Sequence, residues 1–207
     1  NGQATALLNA GSAPYTYSWS LNVNVFYEDT FLNATTNSQL WDNISLGTAS
    51  FGCGGAPSAG YSLYFDGTGS RYAQTKALNL SSSPGLSFYL LYGKNSTAPC
   101  EYLDVSTKEV VLEYSLNNGS SWTQINRYDY QSYSAYTLIQ ENIPSAAQTS
   151  STMIRWRQLS NSGNGYDNWA IDNIEISVTS YTNSNIIDSL TAGTYYVTAT
   201  DNNGCQL

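Results

Sequence analysis

Carboxylates set inside otherwise apolar strands are the first candidates for chemistry in this chain. Asp172 lies in Asp167-Asn168-Trp169-Ala170-Ile171-Asp172-Asn173-Ile174-Glu175-Ile176, where Trp169, Ile171, Ile174 and Ile176 are the apolar positions. A charge there must be exposed, paired or bound to a cation. Glu28 and Asp29 belong to a second acidic strand start, Phe26-Tyr27-Glu28-Asp29-Thr30-Phe31, and Asp66-Gly67 ends a third strand. Hard oxygen ligands of this kind suit Ca²⁺, which takes about 6–8 of them. Glu28, Asp29 and Asp172, with Asp66 in second rank, are therefore the expected ligands of a structural calcium ion. The plain alternative leaves Glu28 and Asp29 solvated and Asp172 bonded to backbone amides.

Two other groups have chemical potential. Glu101, Asp104, Glu109 and Glu113 contain the residue type of a glycosidase pair, but such a pair needs a cleft and a fixed separation. Glu109 and Glu113 flank and occupy one strand and Asp104 sits in a loop, so no catalytic residue is assigned. Tyr128, Tyr130, Tyr133 and Tyr136 crowd into Arg127-Tyr128-Asp129-Tyr130-Gln131-Ser132-Tyr133-Ser134-Ala135-Tyr136. Tyrosine offers rigid apolar area with a polar tip, which suits sugars and protein partners. These four are the candidate ligand-binding residues. Against that stands a strand and loop whose tyrosines simply cover the protein.

Composition narrows the classes. The net charge is -8, with 7 Lys plus Arg and no His. That argues against nucleic acid, which demands clustered cations, and against anionic membranes. The absence of His removes the usual general base and most zinc chemistry. No apolar run is long enough to insert in a membrane. The chain opens Asn1-Gly2-Gln3, so it is expected to be a piece of a longer secreted or cell-surface protein. Three cysteines, Cys53, Cys100 and Cys205, leave one without a partner in the chain. Cys205 is expected to pair outside it, a reduced thiol being the alternative.

The elements that must position these residues are strands. Alternation marks Tyr61-Ser62-Leu63-Tyr64-Phe65, Leu86 to Tyr92, Val110 to Ser115 and Met153 to Arg157, with one more strand at Leu138 to Ile143 ending at Pro144. Turns are marked by Asp66-Gly67, Ser83-Pro84-Gly85, Asn117-Asn118-Gly119 and Ser162-Gly163-Asn164-Gly165. No helix is expected. The apolar phase slips between Ile171 and Ile174, which predicts a bulge or a change of exposure near Asp172-Asn173. Both ends of the chain carry short strands as well: Ala4 to Leu8 and Tyr15 to Trp19, then Ile186 to Leu190 and Thr194 to Thr200 with a turn at Ala192-Gly193.

Resemblances to two families organise this pattern. Gly11-Ser12-Ala13-Pro14-Tyr15-Thr16-Tyr17-Ser18-Trp19 resembles the first half of an SprB-type repeat, and Leu190 to Cys205, with Gly193-Thr194-Tyr195-Tyr196-Val197-Thr198 and Asp201-Asn202-Asn203-Gly204-Cys205, resembles its second half. These immunoglobulin-like repeats occur in large surface adhesins of gliding Bacteroidetes. The stretch between is similar to the reelin subrepeat, through Phe26 to Phe31, Leu40-Trp41, Cys53-Gly54, Gly60 to Phe65, Arg71 to Thr75, Leu86-Ser87-Phe88, Cys100, Val110 to Trp122 and Asn168 to Ile174, in the family's order. That resemblance implies a jelly roll with a Cys53–Cys100 disulfide, bound calcium and a part in extracellular recognition. Ser115-x-Asn117-x-Gly119-x-Ser121-Trp122 resembles the Asp-box of sialidases, read here as a structural turn in which Asn117 bonds backbone amides and Trp122 packs beneath.

The expected fold is all-β: a jelly-roll β-sandwich, residues 23–178, inserted into a small immunoglobulin-like β-sandwich of residues 1–22 and 179–207. The expected function is that of a non-catalytic, calcium-stabilised module of a surface adhesin or gliding-motility-type protein, acting in adhesion or as a repeating stalk or fibre unit. Its partners would be neighbouring modules, identical copies, or a glycan or surface ligand. The alternative is a carbohydrate-binding module accessory to a secreted enzyme.

Overall fold

A computed structural model describes residues 2–22, 27–57, 60–81, 85–177, 179–181, 185–190, 194–201, 203 and 205. Among the described residues sixteen strands follow one another: β1 (Gly2–Thr5), β2 (Thr16–Asn22), β3 (Tyr27–Asp29), β4 (Trp41–Ser45), β5 (Gly47–Ser50), β6 (Ser62–Phe65), β7 (Tyr72–Thr75) and β8 (Gly85–Tyr92). They continue with β9 (Val110–Ser115), β10 (Thr123–Tyr128), β11 (Thr137–Asn142), β12 (Met153–Gln158), β13 (Trp169–Ser177), β14 (Thr179–Tyr181), β15 (Ile186–Leu190) and β16 (Thr194–Thr200). Among the described residues the helical content is three short 3-10 turns. The turns predicted at Ser83-Pro84 and Ala192-Gly193 lie outside the described residues.

The chain divides into two compact units, Tyr27–Ile176 and the pair Asn1–Phe26 with Ser177–Leu207. The larger unit is a sandwich of two antiparallel sheets. One has the order β10-β9-β12-β7-β4, the other β11-β8-β13-β6-β5 with β3 added on β13. Inward positions alternate as a half-buried strand requires: Leu86, Phe88 and Leu90 of β8 are core, while Ser87 and Tyr89 face outward. Trp156 of β12 meets Phe88 of β8 edge-on at 5.4 Å, and Trp169 stacks on Phe65 at 3.8 Å. The Trp156–Phe88 contact joins the two sheets, and the Trp169–Phe65 stack fills the core between neighbouring strands of one sheet.

Two local expectations find their physical form here. Trp169 and Ile171, then Ile174 and Ile176, all enter the core, and the phase is reset at Asn173, whose φ is 48°. β6 pairs with β13 before this position and β3 pairs after it. In the turn after β9, Asn117 Oδ1 accepts from Ser121 N at 2.9 Å and Ser115 Oγ accepts from Gly119 N at 2.9 Å. Trp122 Nε1 closes it on Gly119 O at 3.0 Å, so its role is structural.

Cys53 and Cys100 form a disulfide with a Cα–Cα distance of 5.4 Å. In the smaller unit β1 pairs β15, and β14, β2 and β16 form a second antiparallel sheet. Asp201 accepts from the backbone N–H groups of Ser12, Asn203 and Cys205. Those bonds, that of Cys205 first, hold its carboxyl below the usual value. Cys205 is an exposed free thiol.

Candidate functional site

A groove of about 440 Å³ opens in the larger unit, lined by Tyr92, Tyr102, Leu103, Asp104, Tyr130, Gln131 and Ser134. Its floor is rigid. Tyr92 ends β8 and is 1% exposed; its Oη donates to Tyr128 O at 2.8 Å and accepts from Val110 N at 3.1 Å. Burial raises the phenol pKa of Tyr92, so it remains a neutral donor. One wall is a short turn after β10. There Asp129 Oδ1 accepts from Gln131 N at 2.7 Å, Tyr130 N donates to Glu109 Oε1 at 3.0 Å, and Gln131 Nε2 donates to Tyr130 Oη at 3.0 Å. The facing wall follows Cys100. Tyr102 N donates to Asn95 O at 2.9 Å, Leu103 is buried, and Tyr102 as a whole residue is 43% exposed.

The wall that carries Asp104 is held by charge. Lys108 Nζ sits 2.7 Å from Asp104 Oδ1 and 3.0 Å from the fully buried Asp167 Oδ1. Burial alone would lower the lysine pKa, but the two carboxylates outweigh it and raise it. Behind this pair, Arg71 is completely buried. It donates to the carbonyls of Gly67, Gly163, Tyr166 and Asp167 and to Gln158 Oε1. It thereby fixes the 163–167 loop to β7 and β12. The groove therefore combines exposed aromatic area, one carboxylate and several neutral hydrogen-bonding groups in a preformed frame.

The four sequence-predicted tyrosines part company. Tyr130 lines the groove. Tyr128 is 2% exposed, packs edge-on against Phe88, and donates to Glu141 Oε1 at 3.0 Å. Tyr133 is wedged edge-on against Tyr92 and Tyr128 at 5.4 and 5.9 Å. Tyr136 donates to Ser62 Oγ at 2.8 Å, and its phenol pKa is pushed up to about 12 by burial, with Asp172 adding to the effect. Tyr92 and Tyr102 complete the groove and were not singled out from sequence. Tyr92 reads there as one more core alternation, and Tyr102 stands in a loop without periodicity.

The acids expected to hold calcium lie on β3, just after β6 and on β13. Both oxygens of Asp29 accept from N–H donors: Phe31 N at 2.8 Å, Asn37 N at 2.7 Å and Trp41 Nε1 at 2.7 Å. Asp66 Oδ1 accepts from Gly165 N at 2.6 Å and Gly67 N at 2.7 Å. Burial raises the Asp66 pKa, but these donors outweigh it and lower the value. Asp29 lies opposite Ile174 and Phe65 opposite Trp169, an offset of about 17 Å at ~3.4 Å per residue. Asp172 is fully buried on β13, and Glu28 is exposed opposite Glu175. Among the described residues no three His, Cys, Asp or Glu side chains are grouped to hold a metal.

The remaining acids are bound to cations or backbone. Glu113 takes Arg155 and Arg157 together, at 2.7 Å each. Glu109 is paired with Arg127. Glu101 Oε2 accepts from Asp167 N at 3.3 Å.

A family model for reelin subrepeat B matches residues 47–177. The chain belongs to the reelin subrepeat B family. The match starts at β5 and runs to the end of β13, so it covers most of the larger, reelin-type unit. Among solved structures, the K1 cleaved adhesin domain of Lys-gingipain from Porphyromonas gingivalis W83 is similar at 14% identity, over 74% of this chain and 98% of that one, with a TM-score of 0.52. That likeness is one of fold. A family 16 carbohydrate-binding module-2 (15% identity, 77% and 100% covered, TM-score 0.38) and a family 35 carbohydrate-binding module from an environmental isolate (11%, 81% and 99%, 0.36) overlap more loosely. At those scores they carry no weight for the ligand.

Proposed function

We propose that this is a non-catalytic extracellular recognition module of a surface adhesin, and that the reelin-type unit holds a glycan in its tyrosine groove. The groove itself carries the reading: Tyr102 and Tyr130 supply aromatic faces, with Asp104 and Gln131 beside them as hydrogen-bonding groups. Aromatic area with a few fixed polar groups is the usual make-up of such sites. The non-catalytic part is supported by the lining, where Asp104 is the lone carboxylate and is already shared with Lys108. A glycosidase would need a second carboxyl about 5–9.5 Å away.

A disulfide and the fold shared with a gingipain adhesin domain support a secreted or surface location. In the same reading the smaller unit is an SprB-type link in a Bacteroidetes stalk, and Cys205 pairs with a cysteine outside this sequence.

Glycan-array binding of the wild type, Tyr130→Ala and Tyr102→Ala tests the groove. Both variants are expected to lose the wild-type signal while keeping its melting temperature. A wild type that retains no glycan, or variants that bind unchanged, would sink the proposal.

A further inference from the structure

A second groove, of about 410 Å³, lies on the outer face of the six-stranded sheet, and it is built from two cross-strand pairs. Leu138 of β11 stands directly opposite Tyr89 of β8, and Glu175 of β13 directly opposite Glu28 of β3. Ser87 and Asn173 complete the lining used here. One side is therefore apolar, with Leu138 48% exposed. The other side carries two exposed carboxylates in direct register.

Like charges directly opposite each other destabilise an antiparallel pair, and among the described residues no Lys or Arg is paired with them. The sequence has 7 Lys plus Arg, and each one is engaged elsewhere. Arg155 and Arg157 hold Glu113, Arg127 holds Glu109, and Lys108 holds Asp104 and Asp167. Arg71 is buried against carbonyls, Lys76 Nζ donates to Ser38 O, and Lys94 Nζ donates to Gly54 O. The site is thus complementary to a positive group on an aliphatic stem. Tyr89 and Leu138 would cover the methylenes, the tyrosine face would attract the cation, and the glutamates would pair with it.

We propose that this groove takes the lysine or arginine side chain of a basic partner protein. A second copy of this chain is a poor occupant, because its net charge of -8 opposes self-association and its own cations are already held. The site is separate from the tyrosine groove, so either proposal stands or falls without the other.

The probe is a short end-blocked trilysine peptide, titrated into the intact chain at low salt while the Leu138 methyl and Tyr89 ring resonances are followed. Both are expected to shift. Glu28→Gln with Glu175→Gln should weaken binding at least tenfold, with a melting temperature equal to or above wild type. A control with the same charge change, Asp42→Asn with Asp129→Asn, should stay within twofold. The side-chain-acetylated peptide should not bind. Equal weakening by both doubles, shifts confined to other residues, or equal binding of the acetylated peptide would overturn the proposal. So would displacement of the peptide by calcium chloride at matched ionic strength, which would make a divalent cation the occupant.

Discussion

The indole Nε1 of Trp41 donates to Asp29 Oδ2 at 2.7 Å, and both residues are buried. With Phe31 N and Asn37 N on the same carboxylate, this bond ties the entry strand β3 to β4 on the other sheet. Asp29 is thereby a clasp between the sheets.

Asp29→Ala leaves three N–H donors without a partner, those of Phe31 and Trp41 buried and that of Asn37 half-buried. Hydrogen bonds to a charged group contribute about 1.5–3 kcal/mol each, without strict additivity, so a loss of about 3 kcal/mol is expected. Thermal melting checks this. The loss should be the same in chelator and in calcium, since the partners are protein donors; a calcium-dependent difference would contradict the clasp.

Arg71 carries a guanidinium of zero exposure whose acceptors are mostly neutral carbonyls. Arg71→Met strips the 163–167 loop of these donors and is expected to cost about 3–5 kcal/mol, as for other broken buried charge networks. Amide exchange should rise first at residues 163–167. Uniform exchange across the sandwich would show that the arginine does not act locally.

Glu113 is held below the ordinary glutamate value of 4.5; burial opposes this shift, but the bonds from Arg157 and Arg155 outweigh it. A depressed folded-state pKa means the contribution is fully present above the unfolded value and is lost as pH falls through the folded one. Melting temperature should therefore fall as the pH drops below about 4.5, in step with this group. Glu113→Gln should be less stable at neutral pH and should flatten that part of the profile. An unchanged profile would remove Glu113 as a source of acid lability.

The Cys53–Cys100 bridge closes a loop with a separation of 47 residues. A loop of that size is worth about 4 kcal/mol on the chain-entropy estimate. Cys53→Ser with Cys100→Ser should lower the melting temperature by roughly 8–16 °C at ~2–4 °C per kcal/mol. Because Tyr102 and Leu103 stand two and three residues after Cys100, glycan binding should weaken more than the loss of folded protein explains.

Period-two alternation was sufficient to read the strands from Leu86 to Tyr92 and Met153 to Arg157, because alternate positions of each enter the core; the strand from Val110 to Ser115 was read as well, although all of it but Tyr114 is buried. The phase slip before Ile174 marked the place where Asn173 takes a left-handed φ of 48°. The spacing of Ser115, Asn117, Gly119 and Ser121 defined its turn, since those bonds are local.

What the sequence by itself determined was therefore local: strands, turns, the all-β class and a chemistry without histidine. Tertiary structure decided everything that depends on which strand lies beside which. Strand register placed Glu175 opposite Glu28 and separated Asp29 from Asp66 along β13. Packing turned Tyr128 inward and left Tyr130 in a groove with Tyr102. Long-range pairing buried Arg71 among carbonyls more than 90 residues away, as with Gly163 and Asp167. A carboxylate or tyrosine carries no local mark of its partner, because the partner is set by sheet register and not by sequence spacing.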